Sequence, residues 1–129
     1  GGEDGAEVAR TLMGAGGARE GLGDYAAAAE RYEEALVAFR RALGDEDTAV
    51  AAVHNNLGLA RTVLGQTEKA LEHFGEALRI YGEALGPGHE EVAHTHVNIG
   101  EALRRGGRLG ESIEALREAT SPPPALPRS

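Results

Sequence analysis

Apolar positions recur along this chain at steps of three and four residues. In mid-sequence Val53, Leu57, Ala60 and Leu64 trace one stripe, and Ala70, Phe74, Ala77, Leu78, Tyr81 and Leu85 trace a second. That spacing places each set on one face of a helix. "LGQT" separates the stripes, and "LGPGH" closes the second with glycine and proline, residues that stop helices. No window alternates with a period of two between hairpin turns, so the pattern predicts helices and no strands.

Shifted by 42 positions, the chain overlays itself. Val8, Val50 and Val92 align, as do Gly16, Gly58 and Gly100, and then Gly23, Gly65 and Gly107. Tyr32, Phe74 and Leu116 share a column, and so do Ala35, Ala77 and Ala119. Each period therefore reads as helix, tight turn, helix and short link. One such pair cannot bury its own stripe, so neighbouring pairs must stack. The predicted fold is all-α: an α-solenoid of three antiparallel helix-turn-helix units spanning residues 3–121. The units cover about 6–47, 48–89 and 90–120, and the proline-rich 122–129 reads as a disordered tail or linker.

The glycines follow from this arrangement. Those at 23, 65 and 107 suit the turn inside each pair, where a positive φ is cheap for glycine. Those at 16, 58 and 100 sit mid-helix, each at a cost of about 1 kcal/mol against alanine, which close approach of another helix would justify. The first helix carries further glycines at 14, 17 and 21, and is expected to be the least stable element, frayed or bent.

These columns resemble the tetratricopeptide repeat in its long, kinesin-light-chain-like form. In the middle unit the matching residues are "NNLG" at 55–58, Gly65, Ala70, Phe74, Ala77-Leu78 and the linker "LGPGH". The third unit offers "VNIG", Gly107, Ser112 in the alanine column, Leu116 and Ala119. In the first, "MGAG" stands where the others carry asparagine, while Ala28, Tyr32 and Ala35-Leu36 fit. The resemblance implies a right-handed superhelix whose first helices line a concave groove. It also implies that an asparagine two residues before the motif glycine binds the main chain of an extended peptide. Asn56 and Asn98 hold that column, with Gly14 in the first unit. An amide has both donors and an acceptor, so it can meet a peptide unit whatever its side chain.

Helical phase adds further groove-facing positions. These are Arg10, Met13 and Glu20 in the first unit, and Ala52, Asn55, Leu59 and Thr62 in the second. The third contributes His94, Val97, Glu101, Arg104 and Arg105. Arginine forks suit a carboxylate, although cations near a helix C-terminus also complement its dipole.

Candidate chemistry changes little. "HEEVAH" falls one residue from the zinc-hydrolase pattern, but its histidines are five apart, about 140° around a helix. They cannot share an ion on one face. "GAGGAREG" lacks the lysine of a phosphate loop, no G-x-S-x-G occurs, and there is no cysteine. No enzyme, metal or cofactor is expected. His54 and His96 share a column with Leu12, where the resemblance implies an apolar residue, so each is expected to be a partly buried neutral imidazole with a hydrogen-bond partner, and the alternative is a pH response through the pair.

A net charge of -8 and 4% aromatic content argue against nucleic acid, and no apolar run is long enough for a bilayer. The expectation is a cytoplasmic, non-catalytic scaffold binding a peptide or partner helix in the groove. An alternative is self-association through uncapped array ends near Ile113 and Leu116, or a regulatory segment of a larger signalling-ATPase-like protein.

Overall fold

The computed structural model describes residues 2–121, with side chains from residue 5 onward. Six helices follow one another: α1 (Gly2–Gly21), α2 (Tyr25–Leu43), α3 (Thr48–Val63), α4 (Thr67–Leu85), α5 (Glu90–Arg105) and α6 (Leu109–Thr120). They pack as pairs, α1 on α2, α3 on α4 and α5 on α6, and α2–α3 and α4–α5 contacts stack one pair on the next. The architecture is an all-α solenoid, with no strand among the described residues.

The turn within each pair is built identically. Gly23, Gly65 and Gly107 adopt φ of 80°, 78° and 79°, where a side chain would be strained. The next residue's N–H then reaches back to close the turn, from Asp24 to the Arg19 carbonyl and from Gln66 to that of Arg61, both at 2.9 Å. Arg108 repeats the bond to Leu103 at 2.8 Å. The links between pairs end in N-caps, which satisfy helix N–H groups that have no partner of their own. Asp47 accepts from Ala49 N at 2.8 Å, and His89 Nδ1 accepts from Glu91 N at 3.1 Å. His89 is thus a cap, and "HEEVAH" belongs to the repeat.

The mid-helix glycines have a packing cause. A Cβ on Gly16 would come within 2.6 Å of Tyr32 Cδ1, and one on Gly58 within 2.6 Å of Phe74 Cδ1. On Gly100 it would come within 2.8 Å of Leu116 Cδ2. In each pair the second helix lays a large side chain flat against the backbone of the first. Tyr32 and Phe74 are buried, but Leu116, on the last helix, is 42% exposed. The core centres on α3, where Val50, Ala51, Val53, Leu57 and Ala60 are fully enclosed by helices on several sides.

The first helix is continuous within the described residues despite its glycines: α1 runs from Gly2 to Gly21, with Ala6 and Ala9 buried. Gly14 and Gly17 meet nothing within 4 Å. They weaken the helix through propensity alone, and the packing of α1 along α2 maintains its course.

Candidate binding groove

The first helices of the pairs carry two adjoining clefts that share Leu59. One, of about 160 Å³, is lined by Ala52, Asn55, Asn56, Leu59, Tyr81, Glu91, His94 and Asn98. The other, of about 210 Å³, is lined by Glu20, Tyr25, Leu59, Thr62, Val63, Glu101 and Arg105. Helical phase thus brings together Asn55, Asn56, Leu59, Thr62, His94, Asn98, Glu101 and Arg105. It does not bring Arg10, Met13, Val97 or Arg104 into either cleft. Arg10 is exposed and paired with Glu7 on its own helix, and Val97 is exposed beside the first cleft. Met13 borders the surface indirectly, its sulfur 4.0 Å from Asn56 Nδ2.

The two asparagines of the motif column differ from Asn55. Asn98 is largely buried yet makes no hydrogen bond to any described side chain, and Asn56 makes only the weak contact to Met13. Asn55 instead joins α3 to α5: its Nδ2 donates to Thr95 Oγ1 at 3.1 Å, and that hydroxyl donates to the Glu91 carbonyl at 2.8 Å. Its Oδ1 has no partner among the described residues. Thr62 is also committed, its hydroxyl donating to the Gly58 carbonyl at 2.7 Å. Both sit at the cleft floor as structural groups.

Arg104 and Arg105 are not free forks. Arg104 grips Glu101 at 2.6 Å and Arg105 joins it at 2.9 Å. Their hydrogen bonds push the Glu101 carboxyl down to about 2. The groove end at α5 is therefore one carboxylate shared by two guanidiniums, a cluster that keeps a net positive charge near a helix C-terminus, where cations suit the dipole. Sequence reasoning missed Tyr81 and Glu91, which lie on the α4 stripe and in the first turn of α5. Tyr25, the first residue of α2, was also missed. Tyr81 and Tyr25 lie on second helices, and only contact between helices brings them to the first helices' surface.

On the flank of the array, polar side chains fill the junction of α2 with α3 and α4. The Arg40 guanidinium, a donor only, faces His54 Nε2 at 3.3 Å, so that nitrogen accepts. The proton then sits on His54 Nδ1, which donates to His73 Nδ1 at 3.1 Å. His73 keeps its own proton on Nε2, 3.9 Å from Glu33. Glu33 also takes Arg61 at 3.3 Å, tying the first pair to the second. Both imidazoles are neutral in this chain of bonds. Burial first, then the charges of His73 and Arg40, lower the His54 pKa to about 4, and burial also lowers that of His73. Arg40 and Glu33, both on α2 and partly open to solvent, border this junction. The pairing of His54 with His96 is corrected: His54 is 3% exposed, whereas His96 is half-buried and lies outside the network.

Stacked helical pairs with recurring glycine and aromatic columns define a helical-repeat solenoid. The tetratricopeptide repeat model matches residues 7–81 and again 49–121, and the chain belongs to that family. A search of curated proteins gives no match. Among solved structures, BtubC (BKLC) from P. vanneervenii is similar, with a TM-score of 0.70 and 24% identity over 88% of this chain and 47% of that one. The chain thus spans about half the length of that relative. Repeats of this family generally mediate protein–protein interaction. No helix among the described residues is long and apolar enough to cross a membrane.

Proposed function

We propose that this chain is a non-catalytic interaction module that holds an extended peptide along α1, α3 and α5. The carrying observation is Asn98: a largely buried amide that lines a cleft and has no side-chain partner among the described residues. The amide's own oxygen and nitrogen remain accessible in the cleft, so its donors and its acceptor are free to meet a peptide unit. Asn56, with only a sulfur contact, provides a second such group one repeat earlier. Leu59, common to both clefts, seats an apolar side chain between them.

Random extended peptides selected by phage display against the wild type test this reading. They are expected to lose about tenfold or more in affinity for the Asn56→Ala/Asn98→Ala variant, two hydrogen-bonding groups at roughly 1 kcal/mol each. Unchanged affinity in a variant that melts normally overturns the proposal.

One observation favours a second reading. Leu109, Ile113 and Leu116 of α6 are 60%, 53% and 42% exposed at the end of the described array, a face on which a second copy would stack. Light scattering of wild type and Ile113→Lys decides it: a concentration-dependent dimer lost in the variant supports end-stacking, and a monomer at all concentrations removes it.

A further inference from the structure

The junction filled by Arg40, His54 and His73 recurs one repeat later with its large side chains missing. At the 42-residue offset Gly82 stands for Arg40, Gly88 for Glu46, Ala115 for His73 and Ser121 for Arg79. The result is a cleft of about 410 Å³ lined by Leu78, Gly82, Val92, Ala93, His96 and Glu118, among others. That size falls within the range of small-ligand sites. It lies between α4, the link to α5 and the end of α6, apart from the two groove clefts.

The first junction shows which groups such a space accommodates. There Arg40 donates to His54 Nε2 at 3.3 Å, and Arg79 donates to Glu76 at 3.0 Å and to Glu46 at 2.7 Å. Two of those acceptors persist in the second junction: His96 stands for His54, and Glu118 for Glu76. Both line the open cleft. Glu118 has no ion-pair partner among the described residues, whereas Glu76 is held by Arg79. The acceptors remain where the two guanidinium groups are absent.

We propose that this cleft is a binding site for the arginine side chain of a protein partner. Its methylenes would lie along Leu78, Val92 and Ala93, and its guanidinium would bridge His96 and Glu118. Arginine suits this arrangement better than lysine, because its planar fork reaches two acceptors at once and its stem covers apolar surface. The site is separate from the peptide groove, since neither Asn56 nor Asn98 lines it, and the Asn56→Ala/Asn98→Ala variant is expected to leave it intact.

NMR titration of the full chain with Nα-acetyl-arginine amide tests the inference, with the citrulline amide as the uncharged twin. Saturable shifts are expected at Ala93, His96 and Glu118, with citrulline weaker by about tenfold or more. Glu118→Gln should weaken the arginine response by a similar factor. Gly82→Arg, at a site where an added Cβ meets nothing within 4 Å, should rebuild the earlier arrangement and abolish the response. Folding of both variants is read from the rest of the spectrum. Equal response to citrulline, absence of saturation, or binding that survives both substitutions overturns the proposal. So does Arg128→Gln binding the amide about tenfold more tightly than wild type, which would assign the cleft to the chain's own arginine.

Discussion

Gly58 and the Phe74 ring are in such close contact that a Cβ on Gly58 would sit 2.6 Å from Cδ1, against a side chain with no exposed surface. Neither partner has room to move, because Phe74 is enclosed between α3 and α4 in a packed interior. Gly58→Ala therefore gains helix propensity of about 1 kcal/mol but incurs overpacking of roughly 1–3 kcal/mol, so the net effect is destabilising. Urea melts of wild type and variant measure it. A variant as stable as wild type would show that the contact is not tight.

Gly17 is the converse case. It lies within α1, exposed, with nothing near its position. Gly17→Ala is expected to raise stability by roughly 0.5–1 kcal/mol, and Gly14→Ala by a similar amount. Gly16→Ala, one residue away and pressed on Tyr32, should do the reverse. Thermal melts of the three variants separate propensity from packing within one helix.

The columns that repeat were the legible part of this chain. Gly16, Gly58 and Gly100 announce a close approach because a costly residue recurs at one helical position, and the three tight turns announce themselves in the same way. Legibility stops where the answer depends on a neighbour in another column. His54 and His96 look alike, yet one is buried and one half-open, because Arg40 and His73 on other helices become Gly82 and Ala115. Phase placed Asn55 and Thr62 on the groove side without giving their depth, so it could not distinguish a waiting amide from one already bonded to Thr95.

The Asn55–Thr95 bond links the first helices of the second and third pairs. Thr95 is fully buried and Asn55 nearly so. Thr95→Val strands the Asn55 amide away from water and is expected to cost about 1–3 kcal/mol, more than the bond's net contribution of roughly 1 kcal/mol. Asn55→Leu/Thr95→Val removes both polar partners and should recover most of the loss. A double-mutant cycle by chemical denaturation reads the coupling. A coupling energy near zero would show that the two side chains do not interact.

The His54 network makes the stacking of the first and second pairs sensitive to pH, with a definite sign. In the unfolded chain the imidazole takes its proton near pH 6.5, while in the folded chain burial, His73 and Arg40 delay this to about 4, against opposing pulls from Glu76 and Glu33. Between those values the unfolded state binds the extra proton, so acid favours unfolding. The contribution is fully present above pH 6.5 and is lost progressively as pH falls towards 4. By pH 5 about 2 kcal/mol of it has been lost through His54 alone, and the lowered pKa of His73 acts in the same direction. His54→Leu should flatten the fall in unfolding free energy between pH 7.5 and pH 5. If wild type and His54→Leu lose stability in parallel over that interval, the buried imidazole does not control the response.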